Sequence, residues 1–201
     1  MAQYNTVPSD AGPFTQRADP AADAVVRADL ARLAAGFAAA VPQLEALVLV
    51  GAFGRGEGSM VREGERWRAL NDYDLVLVHR AGTAPPDLAV VRPRMAAELG
   101  LSHLDVEVLA GDALARLAPS MHAHDLAHGG RVIHGDPGVL ARIPPIRADQ
   151  VDLGAARLLL FNRLTCLLQC VHALDLVREP APERRLMMVY MAYKVMLAVA
   201  A

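Results

Sequence analysis

The feature that most constrains this chain is an apolar run, Ala46 to Val50, that enters the glycine-rich turn Gly51-Ala-Phe-Gly-Arg-Gly-Glu-Gly-Ser59. It is followed by Asn71-Asp-Tyr-Asp74 at the head of a second apolar run, Leu75 to Val78. Short apolar runs bounded by turn residues have the length of buried strands. A strand reverses side-chain direction at every residue, so Asp72 and Asp74, at the start of a strand expected over 72–79, project from one face. Two neighbouring carboxylates repel, and such a pair persists where protons or metal ions neutralise it; acidic oxygens suit magnesium or manganese. A glycine-rich turn close by can approach phosphates through backbone N–H groups, so the arrangement reads as a metal-assisted nucleotide site.

The rest of the chain supplies a frame for these strands. Residues 1–20 form an irregular arm, with Pro8, Gly12, Pro13 and Pro20. Val26, Leu30, Leu33 and Phe37 then recur at helical spacing, and Pro42 closes that helix before a first strand at Leu44–Gly51. Met60 to Leu70 is charged and interrupted by Gly64, which predicts an exposed loop. A helix ending at Leu99–Gly100 leads to a third strand over 103–110, where Leu104, Val106 and Val108 face one way and Asp105 and Glu107 the other. The crossover of about twenty residues suits parallel pairing of the second and third strands. That pairing aligns Asp105, ahead of Glu107, with Asp72 and Asp74 as a third carboxylate.

Short helices are expected at 112–117 and 122–128, a glycine-bounded strand or turn at 129–135, and a linker over 137–150. A leucine-rich helix from Val151 and a second, methionine-rich one after Pro182 follow. A helix apolar on so many sides must be buried in a bundle or against another subunit. The last helix reaches Ala201 without a capping signal, as expected of a chain whose natural sequence continues.

Net charge of −2 at pH 7 gives no electrostatic footprint for a long nucleic acid. A small-molecule acceptor is favoured, with a protein hydroxyl as an alternative. No apolar run approaches the roughly 20 residues of a membrane span, and no signal-peptide order opens the chain. Cys166 and Cys170, spaced i, i+4, are poorly placed for a disulfide, which fits a reducing cytoplasm. With His172 they could suggest a metal site, but a fourth ligand is lacking and buried thiols are the better reading. His122, His124, His128 and His134 do not share one metal-binding face. Arg55 is a candidate for triphosphate binding, with helix capping or a surface ion pair equally open; Glu57 is expected to be solvated. Asn162 and Arg163 interrupt the leucine-rich helix and could line an acceptor pocket or bond within the bundle.

A dinucleotide-binding turn is the nearest rival, because four glycines precede an acid by about twenty residues. The spacing G-x-G-x-x-G is absent in register, residues 60–70 make a poor crossover helix, and the acids begin the second strand, whereas a ribose-binding acid closes it. A Walker-type loop is excluded by the absence of Gly-Lys-Ser/Thr.

A strand, Gly51, and then Asp72-x-Asp74 on the next strand, with Asp105 on a later one, resemble the DNA polymerase β-like nucleotidyltransferase superfamily over about residues 25–136. The resemblance implies an α+β fold: a mixed β-sheet nucleotidyltransferase core with flanking helices over 21–136, then an α-helical C-terminal domain over 151–201 that helps hold the acceptor. It implies transfer of a nucleoside monophosphate from an NTP, with ATP foremost, to an acceptor hydroxyl, releasing pyrophosphate. Two Mg2+ (or Mn2+) ions would be held by Asp72, Asp74 and Asp105, and the nucleotide would be cradled by Gly51, Ala52, Arg55 and Ser59. Ala52 departs from the Gly or Ser usual after the first glycine, so a hydroxyl near the terminal phosphate is missing and Ser59 is the candidate to replace it. The alternative is a catalytically weak nucleotide-binding or antitoxin-like regulatory protein of the same fold. The helical region is a candidate homodimer surface.

Overall fold

The computed structural model describes residues 12–172 and 182–200, with side chains at 12–168 and 185–196. In chain order the elements are α1 (Pro20–Ala40), β1 (Leu44–Val50), α2 (Gly51–Arg55), β2 (Met60–Glu63), β3 (Arg66–Ala69), β4 (Asp74–His79), α3 (Val91–Glu98), β5 (Asp105–Ala110), α4 (Met121–Gly129), β6 (Arg131–Gly135), α5 (Leu153–His172) and α6 (Pro182–Ala200). The chain divides into two units, one of residues 1–118 and 122–146 and the other of 119–121 and 147–201.

In the first unit the strands form a mixed sheet in the order β5-β4-β1-β6, in which β1 is antiparallel to β4 and β6 while β4 and β5 run parallel. Both faces are covered. On one, Val26, Leu30, Leu33 and Phe37 of α1 pack with Leu47, Leu49, Tyr73, Leu75, Leu77 and Met95; on the other, Val48, Val50, Val76 and Val78 meet Leu126 of α4 with Leu114, Val139 and Ile146. The central strands are therefore apolar at nearly every position, as the sequence shows. Helix α1 begins where Asp19 caps it, accepting from the amides of Ala21 (2.8 Å) and Ala22 (3.1 Å), with Pro20 in the first turn.

Three expectations need correction. Within 60–70, residues 60–69 are a β-hairpin, β2–β3, not a loop: Glu63 pairs with Arg66 across a two-residue turn in which Gly64 takes φ +62°. The charges that concealed it are cross-strand partners, since Arg68 Nε donates to Glu63 at 2.7 Å. The described end of the N-terminal arm, residues 12–19, is irregular and is tied down, since Phe14 is fully buried and Asp23 of α1 accepts hydrogen bonds from the amides of Phe14 and Thr15 and the Thr15 hydroxyl. Val139, Ile143 and Ile146, expected in a linker, are buried in the core because the stretch is apolar at these positions, two of them next to its prolines. Finally β4 starts at Asp74 and β5 at Asp105, each two residues later than expected. Strand β1 ends opposite Asp74, at Val50, and turns into α2, so residues 72 and 73 have no ladder to join there.

The second unit contains α5 and α6, which pack on each other. Leu153, Leu158, Phe161, Leu164 and Leu168 on α5 and Val189, Tyr193 and Met196 on α6 are exposed. The expectation was burial in a bundle or against another subunit, and in the single chain these side chains are open to solvent. Residues 173–181, which include the last part of the leucine-rich segment, lie outside the described residues. Among the described residues no helix is long and apolar enough to cross a membrane.

A buried polar pair ties α1 to the sheet: the Tyr73 hydroxyl donates to Asp29 at 3.0 Å, and both residues are buried. Burial, opposed in part by the Tyr73 hydrogen bond and Arg32, leaves the Asp29 pKa raised. Its folded pKa thus exceeds the unfolded value, so as pH rises from about 3.8 the unfolded state ionises first and the folded state loses stability until the folded pKa is passed. Asp29→Asn keeps an oxygen to accept from Tyr73 and removes the buried charge. Its melting temperature relative to wild type is expected to improve between pH 3 and pH 7; a flat or opposite trend would show that the charge is not the cost.

Candidate functional site

The acids are aimed by the residue between them. Tyr73 is fully buried toward α1, with its ring 4.7 Å from that of Phe53, and strand alternation sends Asp74, with Val76 and Val78, to the opposite face. The parallel register sets Asp105 beside Asp74 and Glu107 beside Val76, a step of two residues farther from the strand heads. Glu107 is engaged by His122, whose Nε2 lies 2.7 Å from its carboxylate.

The side chains that converge are not quite those expected. Ligand atoms of Asp72, Asp105 and His103 lie within 4.8 Å of one another, and His103 Nε2 is 2.8 Å from Asp72 Oδ2. The Asp72 carboxylate is nearly buried, whereas His103 and Asp105 are exposed. Asp74 is outside this trio. Its carboxylate lies against Gly51, so close that a Cβ on Gly51 would meet Oδ2 at 2.2 Å. Asp74 thus stands where the glycine turn and the acidic group adjoin, since its backbone pairs with both Val50 and Asp105. Two carboxylates and an imidazole make a donor set suited to a divalent first-row ion, so the residues fit a metal.

The glycine turn folds directly into α2, and Gly51 takes φ +66° at its start. Its amide, expected to face phosphate, donates to Asp125 Oδ2 of α4 at 3.1 Å. Arg55 pairs with the same Asp125 and with Glu57 at 2.9 Å; burial disfavours the guanidinium charge, but the two carboxylates outweigh it and raise its pKa. Of the readings open for Arg55, the ion pair is the one observed, and it engages Glu57 as well. Ala52 is the second residue of α2, and the Ser59 carbonyl accepts the Leu70 amide at 2.9 Å at the foot of the hairpin.

Two participants escaped the sequence reading. His103 precedes Asp105 by two, and strand alternation alone was signal enough to place both on one side. Asp125 had no local signal, because it reaches Gly51 across 74 residues of chain. The four histidines engage different partners: His122 meets Glu107, the rings of His124 and His128 lie 4.4 Å apart, His128 Nε2 contacts the Ile146 carbonyl at 2.8 Å, and burial lowers the pKa of His134. On α5, Cys166 Sγ donates to Asn162 Oδ1 at 3.4 Å, which answers for Asn162 within its own helix. The side chains of Cys170 and His172 lie outside the described residues.

No family model matches the sequence, and no curated protein matches it. Among solved structures the chain is similar to a toxin-antitoxin structure with AMP-PNP, at 16% identity and a TM-score of 0.38, over 71% of this chain and 94% of that one. It is also similar to the toxin-antitoxin MntA-HpeT mutant D39ED41E, at 13% identity and a TM-score of 0.34, over 71% of this chain and 93% of the other. At such TM-scores the likeness carries no functional argument, which rests on the residues themselves.

The Gly51 site gives a direct test. A left-handed φ costs a residue with a Cβ about 1–3 kcal/mol, and here the Cβ also collides with Asp74. Gly51→Ala is expected to lower unfolding stability in urea by at least that range. An unchanged denaturation midpoint would contradict the close approach of Asp74 to this turn.

Proposed function

We propose that the chain is a metal-dependent nucleotidyltransferase that moves a nucleoside monophosphate from an NTP, with ATP foremost, to a hydroxyl of a small-molecule or protein acceptor. The observation that supports this most is the convergence of Asp72 and Asp105 beside Asp74 at the edge of the Gly51 turn. In this reading the chain belongs with the DNA polymerase β-like nucleotidyltransferases that its motif resembles, and it works where the NTP pool is, in the cytoplasm.

Asp72 and Asp105 carry oxygens that would hold Mg2+ or Mn2+, and Asp74 would serve both metal and nucleotide. A divalent ion bound there supplies charge neutralisation for the polyphosphate and lowers the pKa of an acceptor hydroxyl. Tyr73, locked between Phe53 and Asp29, keeps its flanking acids from reorienting, so little reorganisation is required during reaction. Gly51 lacks the side chain that would bar phosphate from the backbone, with Ala52 and Ser59 beside it. Asp105 would accept the hydroxyl proton. The products are the nucleoside monophosphate ester of the acceptor and pyrophosphate.

A second reading, a nucleotide-binding or antitoxin-like regulatory protein with weak turnover, is favoured by one observation: the Gly51 amide is engaged by Asp125, with Ala52 in place of a hydroxyl residue. The readings separate in an assay for pyrophosphate release. Under the first, Asp72→Asn, Asp74→Asn or Asp105→Asn lowers the rate by about a hundredfold or more with the melting temperature preserved, while Glu107→Gln stays near wild type. Wild-type turnover in the Asp72 and Asp74 variants would remove these residues from the mechanism, and reversal of Asp105 and Glu107 would reassign the third carboxylate.

We also propose that α5 and α6 form a homodimer contact. Eight apolar side chains exposed on these two helices, among them Leu158, Phe161 and Leu168, are the surface such a contact would cover. Two such hairpins would complete a four-helix bundle. Light scattering is expected to give a dimer that Phe161→Glu with Leu168→Glu converts to a folded monomer; a monomeric wild type at all concentrations would overturn this.

A further inference from the structure

We propose that His103 is a metal ligand, and that with Asp72 and Asp105 it makes a site selective for a first-row transition ion, Mn2+ in preference to Mg2+. The inference rests on the nucleotidyl-transfer reading only for the purpose of the ion, since the site itself is argued from its own geometry.

The 2.8 Å approach of His103 Nε2 to Asp72 Oδ2 is held by a ring N–H, neutral or charged, that donates to the carboxylate, and a metal ion between the two atoms would replace that proton. Ligand atoms cis to each other on an ion with bonds of about 2.1 Å lie about 3 Å apart, and trans ligands about 4.2 Å. The observed approach is close to a cis edge, and all three donor atoms lie within 4.8 Å. Small side-chain adjustments therefore close the set around one ion.

The other ring nitrogen supplies an independent observation. His103 Nδ1 lies 3.0 Å from the hydroxyl of Ser102. When Nδ1 donates its proton to that oxygen, the Nε2 lone pair is left facing the carboxylates, the arrangement of a metal-ligating histidine oriented by an outer partner. Strand β5 begins two residues later, so Asp105 is fixed by the sheet, and Asp72 is fixed by the buried Tyr73 beside it. His103 is exposed and can reach an ion without disturbing the core.

The imidazole decides the ion. Carboxylates accept both Mg2+ and Mn2+, whereas Mg2+ takes oxygen ligands and gives up water reluctantly; an imidazole nitrogen therefore favours a first-row transition ion, and Mn2+ is the one of these that the two carboxylates also suit. An Asp-His-Asp set keeps open positions for nucleotide oxygens or an acceptor.

The test uses the full chain freed of metal and titrated with Mn2+ alone. Pulsed electron paramagnetic resonance of the Mn2+ complex is expected to show 14N modulation from a directly bound imidazole nitrogen. His103→Ala should remove it and weaken Mn2+ binding by about tenfold or more, while changing Mg2+ affinity far less. Melting curves of the variant control for folding. Persistence of the 14N signal and of Mn2+ affinity in His103→Ala, with Asp72→Asn still weakening binding, overturns His103 as a ligand and leaves the nucleotidyl-transfer reading standing. Loss of pyrophosphate release in neither Asp72→Asn nor Asp74→Asn, with the His103 signal present, overturns that reading and leaves the metal site.

Discussion

The candidate site depends on one buried residue. Tyr73 has no exposed surface, its hydroxyl bonds to Asp29 of α1 and its ring lies against Phe53 of α2. Asp74, which opens β4 directly after Tyr73, is carried with Val76 and Val78 to the face opposite the α1 core, and Asp72 precedes the same anchored residue. The same hydroxyl keeps Asp29 satisfied in a place where its charge is costly. An unpaired buried carboxylate would cost more than the hydrogen bond returns, which makes the pair a strong constraint on how α1 sits on the sheet.

A second constraint is the absence of a Cβ at Gly51. The strand β1, the turn into α2 and the head of β4 meet there, and the Asp74 carboxylate occupies the space that a side chain would need. Asp125 closes the same junction from α4 by taking the Gly51 amide and Arg55 together. A nucleotide that uses this amide must displace or share a carboxylate already bound to it. The glycine turn is therefore an anion-accepting corner held by an internal anion, which bears on how strongly phosphate can compete.

The sheet strands and α1 were legible in the sequence because they are continuous apolar runs or keep one period: Val26, Leu30, Leu33 and Phe37 all fall on the buried face. The parallel alignment of Asp105 with Asp74 followed from crossover length and is observed in the register. What was not legible depends on partners distant in sequence. The hairpin over 60–69 was hidden because its charges are satisfied across strands, and Asp72 fell outside its strand because β1 has no residue left to pair with it in the ladder. Asp125 is fixed by α4 packing on the far face of the sheet. His103 could have been found by extending the alternation of β5 backward by two residues.

The central claim is that Asp72, Asp74 and Asp105 bind a nucleoside triphosphate through a divalent ion. A thermal-shift panel of the four nucleoside triphosphates, each with and without Mg2+ or Mn2+, addresses it most directly. A ligand at about 100 times its dissociation constant stabilises a fold by about 2.7 kcal/mol, which for a chain of this size is a rise of about 5–11 °C. The account predicts such a rise for at least one triphosphate, only with metal present, and its loss in Asp74→Asn. No metal-dependent shift with any of the four would contradict it.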